Sequence, residues 1–411
     1  MSLQCHYSKI FKSIILERIR KKTAEILSEE QAGLRASRST INQLFTLRQL
    51  SEKYTDFSRD LFVCYIDFRK AFDSIWRKGL WRVMRNMGYP EKIVRLLEGL
   101  YSGTFSAVRI GADLTEWFET IVGVLQGCML SPLLFNIFLE IIMARALTDV
   151  DAGAVINGHV ISNLRFADDI AALAEKEKEL QQVVDNIVAE SKKMGMMVNI
   201  EKTEVQQIDD FIYLGGTISD DASTDKDVQR RTGLACGVMQ SLAPIWRSKA
   251  ISTQTKVKVY ETLVLSVLLY NSETWALKES TKKKLRVFEM SCLRKIKGVT
   301  RRNRVRNTEI RRELKVETDV VEIIQRRRLR YFGHITRMSG ERLPAIAFSG
   351  NVHGLRKRGR PKKRWEDNLK ADLDEMGHTM VEAIRLASSD RDVWRKSVLG
   401  LSERGSPSPR H

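Results

Sequence analysis

The chain has 411 residues, 43% of them hydrophobic and 29% charged. It is long enough for two or three domains and apolar enough to bury real cores, which excludes global disorder. No run of about 18 apolar residues occurs: Leu130 to Leu147 is broken by Asn136, Glu140 and Arg145, so no membrane partner is expected. The apolar stretch near the N-terminus runs into a basic cluster, unlike a secretion signal. Cys5, Cys64, Cys128, Cys236 and Cys292 never form C-x-x-C, which suits a reducing compartment and argues against a disulfide framework. The net charge of +18 is concentrated: Lys282 to Arg364 carries 27 Lys and Arg against 7 Asp and Glu, and the rest carries 42 against 44. A polyanion, nucleic acid above all, is the expected partner of that segment, with solvated helix faces as the alternative.

In chain order, Ile10, Ile14, Ile15 and Ile19, then Leu44, Leu47 and Leu50, predict two helices. The small and polar stretch Gln31 to Thr40 between them predicts a loop. Leu61 to Phe68 (LFVCYIDF) predicts a buried strand, and Lys78 to Asn86 a helix ended by Gly88-Tyr89-Pro90. SAVRIG and TEWFETIV around Gly111-Ala112-Asp113 predict a hairpin. A helix follows, with Ser131 expected at its N-cap and Pro132 at its first position. HVISNLRF and IAALA predict a second hairpin with Ala167-Asp168-Asp169 at its turn. Glu175 to Lys193 reads as a helix stopped at Gly195, and Met196 to Ile200 as a strand. Antiparallel pairs mixed with helices make this half α+β. Beyond Ser219 the pattern is mostly helical, Lys256 to Tyr270 most strongly, with breaks expected at Gly298, Gly333 and Gly354-Gly359-Pro361.

Three carboxylates stand where a carboxylate is costly. Asp67 interrupts an apolar strand, and Asp168-Asp169 interrupt a hairpin between apolar arms. Adjacent like charges repel, and a divalent cation would relieve them. A cap on the next helix and a polar turn are the plainer readings of the same residues.

The flanks decide between these readings. VCYIDFRKAFD, LQGCMLSPLLFN and FADD occur in that order, preceded by QAGLRASRSTINQ and followed by NIEKTEV, FIYLGGTIS, LLYNSETWAL, RLRYFGHITRM and RGRPKKRWED. This ordered set, spanning nearly the whole chain, resembles the reverse transcriptases of non-LTR (LINE-type) retrotransposons. The resemblance implies a right-hand polymerase palm, an antiparallel sheet with packed helices, at 61–218. It implies partial fingers at 1–60, a helical thumb-like region at 219–300, and a basic helical nucleic-acid-binding region at 301–411. It implies nucleotidyl transfer of dNTPs onto a DNA primer or target, copying an RNA template. Mg²⁺, or Mn²⁺ in its place, would be held by Asp67, Asp168 and Asp169, with oxygen ligands suited to a hard cation.

By the same resemblance, the backbone carbonyl of Phe68 would add a ligand at the nucleotide site. Phe72 would stand against the sugar and exclude a 2′-hydroxyl, and Gln126-Gly127 would meet the incoming nucleotide. Lys202 would protonate pyrophosphate, and Arg35 and Arg38 would contact template or primer phosphates. Asp73 reads as a helix N-cap outside the metal set. The finger strands of the family would lie upstream of Met1, and Phe211 follows Glu204 by only seven positions where relatives carry a longer connection. A truncated copy with weak or no activity is therefore expected. A non-catalytic nucleic-acid-binding protein that retains the polymerase fold is the alternative.

In the basic half, arginines interleave with Phe288, Tyr331, Phe332 and Trp365, a composition that can hold phosphate and stack on bases. Arg356, Lys357, Arg358, Arg360, Lys362, Lys363 and Arg364 form one run around Arg-Gly-Arg-Pro, a candidate for minor-groove contact or for a nuclear-localisation signal. A nuclear protein is expected, with the cytoplasm as the alternative. His334 and His353 have no cysteine at zinc spacing.

Overall fold

The computed structural model describes residues 6–199, 209–356, 359 and 361–400. The chain divides into two compact units, the first from residues 1–43, 59–207 and 351–353, the second from 44–58, 208–350 and 354–411.

In the first unit, α1 (His6–Ile26) precedes the loop at 27–39, and α2 (Thr40–Asp56) begins after it. The apolar run then forms β1 (Phe62–Ile66). α3 (Arg77–Asn86) and α4 (Glu91–Tyr101) follow. α4 is absent from the sequence reading above, although Ile93, Val94, Leu97 and Tyr101 are spaced for one buried helical face. The expected hairpin forms as two short ladders, β2 (Phe105–Ser106) with β5 (Phe118–Glu119) and β3 (Arg109–Ile110) with β4 (Asp113–Leu114). α5 (Ser131–Ala146) is buried on nearly every side. Its N-cap is Leu130, not Ser131, whose hydroxyl donates to the Leu125 carbonyl at 2.7 Å instead.

β6 (Ala154–Ile156) and β7 (His159–Ile161) form one hairpin, β8 (Asn163–Phe166) and β9 (Asp169–Ala174) the next, and α6 (Glu177–Lys193) follows. The central sheet is antiparallel in the order β1-β9-β8. One face, with Cys64, Ile66, Ile170 and Ala172, joins the core that α5 and α6 build with Phe135, Phe138, Val183 and Ile187. In place of the strand expected at Met196 to Ile200, a single antiparallel bridge joins Phe68 to Val198, and Ile200 lies outside the described residues.

The second unit opens on a hairpin, β10 (Asp210–Tyr213) and β11 (Gly216–Ser219). Both loop residues, Leu214 and Gly215, have positive φ, as a type I′ turn demands. Helices make up the rest: α7 (Asp225–Ser241), α8 (Ala243–Arg247), α9 (Thr253–Val259) and α10 (Ser266–Leu268) with a π-helical segment at Tyr260–Leu265 between the last two, then α11 (Glu279–Lys297), α12 (Asn307–Leu314), α13 (Val320–Thr336), α14 (Leu343–Ser349), α15 (Trp365–Met376), α16 (Met380–Ser389) and α17 (Arg391–Leu399). Gly298 ends α11 in the left-handed region, as expected. Gly333 is no break: it lies inside α13, where a Cβ would come within 2.3 Å of the Trp394 indole nitrogen. Among the described residues no helix is long and apolar enough to cross a membrane.

The aromatic residues of the basic segment are core residues, not stacking platforms. Trp365 is fully buried, donates to the Glu273 carbonyl at 2.7 Å, and meets Phe45 edge-on at 4.9 Å; Tyr331 and Phe332 are also buried. Many of the arginines are neutralised within the unit, as in Arg286–Asp319 at 2.9 Å, Arg326–Glu322 at 2.7 Å and the buried Arg328–Asp372 at 2.6 Å. Arg301, Arg302, Arg304 and Arg306 remain exposed on the turn between α11 and α12.

Glu52 gives this unit a pH dependence. Its carboxyl accepts from the Trp365 backbone at 3.3 Å and from Gln49 at 3.0 Å, and burial pushes it up to about 7. The folded chain therefore keeps a proton that an unfolded glutamate releases at a lower pH, and stability falls as pH rises from about 4.5 to 7. Glu52→Gln is expected to stabilise the fold at pH 8 by up to about 3 kcal/mol more than at pH 5. Urea denaturation at both values checks this, and equal shifts would refute it.

Candidate active site

Burial alternates along β1, so Cys64, Ile66 and Phe68 face the core while Val63, Tyr65 and Asp67 take the other face. The β1–β9 register runs from Phe62 opposite Ala174 to Ile66 opposite Ile170. One further step sets Asp67 beside Asp169, at the roughly 5 Å Cα spacing of antiparallel neighbours. In the β8–β9 hairpin Phe166 faces Asp169, which leaves Ala167-Asp168 as a two-residue loop. Ala167 has a φ of 57° and Asp168 is not in that region, the sign pattern of a type II′ turn.

Asp67 and the Asp168-Asp169 pair, about a hundred residues apart in the chain, therefore meet at one end of the sheet. Burial first, and then the negative charge of Asp67, hold the Asp168 carboxyl above the usual aspartate range, opposed by a backbone hydrogen bond. On the other side of Asp67, the Asn199 amide donates to the Asp67 carbonyl and the Arg69 amide to the Met197 carbonyl, both at 2.8 Å. These two bonds bracket Phe68, so its own N–H and C=O turn away from 197–199 and toward the β9 side. The Phe68 side chain itself is buried in the core.

After β1, a 3₁₀ turn at Ala71–Asp73 presents Phe72, half-buried, with its ring stacked on Phe135 at 4.9 Å. The loop before α5 is stitched to this turn. Val124 N–H donates to the Phe72 carbonyl at 2.7 Å, and Gln126 Nε2 donates to both Asp73 carboxylate oxygens at 3.1 and 3.2 Å. Gly123 has a φ of 79°, and a Cβ there would meet the Asp73 carbonyl at 2.7 Å; Gly127 also has positive φ. Asp73 is thus no N-cap: α3 starts after Trp76, and the Asp73 carboxylate receives Gln126.

Other contacts engage the rest of the predicted residues that the structure describes. Arg35 donates to the carbonyls of Ala24 and Gln31, both at 3.1 Å, and to that of Ser28, while Arg38 pairs with Glu29. Both guanidiniums are engaged by their own loop and the end of α1. Lys202, Lys357, Arg358 and Arg360 lie outside the described residues. Arg356 lies over the Phe57 ring at 5.6 Å, Lys362 donates to the Asp221 carbonyl at 2.9 Å, and Lys363 approaches the Asp367 carbonyl at 3.5 Å. Arg364 is paired with Asp56 at 3.3 Å and Asp367 at 3.1 Å. A cavity of about 490 Å³ in the second unit, lined by Tyr260, Glu289, Lys315 and Arg330 among others, contains none of the predicted site residues.

Pattern reading passed over Gln31, Gly33 and Asn136, which hold the Ala167–Asp168 turn from behind. The signal was present in one of them: an asparagine in the apolar run of α5 needs a partner.

Among the described residues no three His, Cys, Asp or Glu side chains converge as a ready-made metal cage. Two mutually repelling carboxylates beside a main-chain carbonyl nevertheless fit Mg²⁺, which binds through one or two carboxylates and completes its shell with water and phosphate.

A model of the reverse transcriptase (RNA-dependent DNA polymerase) family matches residues 1–218, and one of a domain of unknown function matches 239–270. A transposon-derived protein of Caenorhabditis elegans is 24% identical over 58% of this chain and 95% of its own. The RNA-directed DNA polymerase from the mobile element jockey of Drosophila funebris is 25% identical over 75% of this chain, which spans 36% of that protein. Among solved structures, telomerase from Candida albicans aligns over 69% of this chain and 54% of its own with 12% identity and a TM-score of 0.45. With more than half of its length matched by that family model, the chain belongs to the reverse transcriptase family, in the branch of the non-LTR retrotransposon polymerases.

Proposed function

We propose that this chain is the polymerase portion of a retrotransposon enzyme that extends a DNA 3′-hydroxyl with dNTPs on an RNA template. The observation that carries the reading is the register that sets Asp67 beside the Asp168-Asp169 turn at one end of the sheet. Asp67 and Asp168, with the Phe68 carbonyl, would hold Mg²⁺, and Asp169 would complete the negative cluster. When bound, divalent cations supply charge stabilisation to the attacking and leaving oxygens of an in-line displacement.

The chain's own groups do the placing. Phe72, propped on Phe135, would lie against the sugar and clash with a 2′-hydroxyl, favouring dNTPs. Gln126, tethered to Asp73, would leave that carboxylate to meet the nucleotide, and the backbone at Gly127 would let it approach closely. Lys202 is the proposed proton donor to pyrophosphate. Phosphate contacts fall best to Arg301, Arg302, Arg304 and Arg306, exposed where other arginines of the segment are paired. The run Arg356 to Arg364 would direct the protein to the nucleus.

Primer extension on an RNA template with Mg²⁺ tests the reading. Template-directed cDNA that depends on Asp67 and Asp168 supports it. Tight template binding with no incorporation under Mg²⁺ or Mn²⁺ would leave a non-catalytic binding protein of the same fold.

A further inference from the structure

We propose that Gln31 is a positioning residue: its buried carboxamide, backed by Gly33 and Asn136, sets where the Asp168 carboxylate stands relative to Asp67. The inference rests on the polymerase reading and goes beyond it, because none of the three residues would touch substrate.

The sheet order leaves β8 at an edge, and residues 30–32 close that edge. Gln31 and Arg165 form a parallel bridge, Ala32 N–H donates to the Arg165 carbonyl at 2.9 Å, and Arg165 N–H donates to the Glu30 carbonyl at 2.9 Å. Two residues further along β8 comes Ala167, the first residue of the Asp168 turn. There the backbone no longer pairs with backbone. The Gln31 side chain takes over, with Oε1 accepting from Ala167 N–H at 3.0 Å and Nε2 reaching the Ala167 carbonyl at 3.4 Å. One carboxamide thus engages both backbone polar groups of Ala167, the residue before Asp168, as a neighbouring strand would.

Ala167 needs the help. Its φ of 57° lies where a side chain with a Cβ is rarely found, so a turn left to itself would relax and carry Asp168 with it. The clamp is itself fixed. Gln31 is wholly buried, and the same Oε1 also accepts from Gly33 N–H at 2.9 Å. Gly33 lies so close behind the turn that a Cβ would come within 2.3 Å of the Ala167 nitrogen, so only glycine allows the approach. Asn136, buried in the apolar α5, donates to the Gly33 carbonyl at 2.7 Å. A chain of contacts therefore runs from the core helix through the 31–33 loop to the residue before Asp168. A bond that served only to close the sheet edge would need nothing beyond Arg165.

The test uses the full chain with dNTP present and Mn²⁺ as the probe, its binding followed by electron paramagnetic resonance. In the parent chain, Mn²⁺ binding that Asp168→Asn abolishes is expected. Its absence would overturn the polymerase reading and the positioning role together. Gln31→Met keeps the length and removes every hydrogen bond of the clamp. It is expected to retain a cooperative melt, to weaken Mn²⁺ about tenfold, and to lower kcat for incorporation about 10²-fold, the effect of a roughly 1 Å misplacement, with KM for dNTP changed much less. A folded Gln31→Met chain with parental Mn²⁺ affinity would overturn the positioning role alone. Should that variant not fold, Asn136→Ala, which removes only the bond to Gly33, is expected to weaken Mn²⁺ in the same direction by a smaller factor. Parental affinity in a folded Asn136→Ala chain would likewise overturn the proposal.

Discussion

Replacing Asp168 by asparagine is expected to lower dNTP incorporation at least about 10³-fold while leaving the fold intact. Charge stabilisation at a phosphoryl centre is worth several kcal/mol, and each 1.36 kcal/mol is tenfold in rate. Asparagine keeps the size of the side chain and its place in the two-residue loop but removes the negative charge. Because Asp168 stands beside Asp67 and raises its own energy by doing so, losing that charge relieves the folded state. The melting temperature should therefore match or exceed that of the parent. A variant that gains or keeps stability and loses activity marks a residue held for chemistry. Asp73→Asn is the control. Asp73 lies six residues from Asp67, but its carboxylate faces Gln126, and the amide that replaces it still offers an oxygen. A much smaller effect on incorporation is expected. Equal losses in the two variants would show that general acidity of this end of the sheet, rather than the Asp67–Asp168 geometry, carries the activity.

Much of the palm was legible because its signals are local. The alternation in LFVCYIDF and the two apolar arms around Ala167-Asp168 need only the pleat and a tight turn to place three aspartates at one sheet end. Register does the rest, since Asp67 on the face opposite Ile66 can meet only the end of β9. What stayed hidden depends on contacts between distant segments. Gln31 reads as one more loop residue until a backbone 136 positions later comes to rest against it. Asp73 looked like a cap because it precedes a helix, and its partner is 53 residues away. Charge counts are incomplete for a related reason. The surplus of the basic segment is real, yet composition is blind to pairing, and Arg286, Arg326, Arg328 and Arg364 have carboxylate partners that fold around them. Trp365 and Phe332 misled in the same way. Aromatic residues among arginines suit either base stacking or a core crossed by amphipathic helices, and only burial separates the two.

Removing the Asp227 carboxylate is expected to destabilise the second unit by about 3–5 kcal/mol, the cost of stranding one member of a buried ion pair. Asp227 has no exposed surface. Its Oδ2 receives Arg48 at 2.7 Å and the Trp275 indole at 2.8 Å, and its Oδ1 receives the Thr217 amide at 3.0 Å. Burial works to raise its pKa, but the Arg48 charge and these hydrogen bonds outweigh burial and leave it below the usual aspartate range. The sign follows: the carboxylate stabilises the fold above the pKa of an unfolded aspartate, and that contribution is lost as pH falls through the lower folded value. Asp227→Ala leaves the Arg48 guanidinium, which cannot shed its proton, buried against a hole. Arg48→Met is the informative partner, because Asp227 can then accept a proton and keep its two neutral donors, so its cost should be smaller and should shrink further in acid. Joining Arg48→Met to Asp227→Leu removes both charges and refills the space, which often recovers an ion pair's stability outright. Here recovery should stop short, because Thr217 N–H and the Trp275 indole lose their acceptor at about 1–3 kcal/mol each. Urea denaturation of the three variants at pH 5 and pH 7 gives the order. If the double variant proved no more stable than Asp227→Ala, stranded charge would not be the source of the loss, and the two neutral hydrogen bonds would account for it.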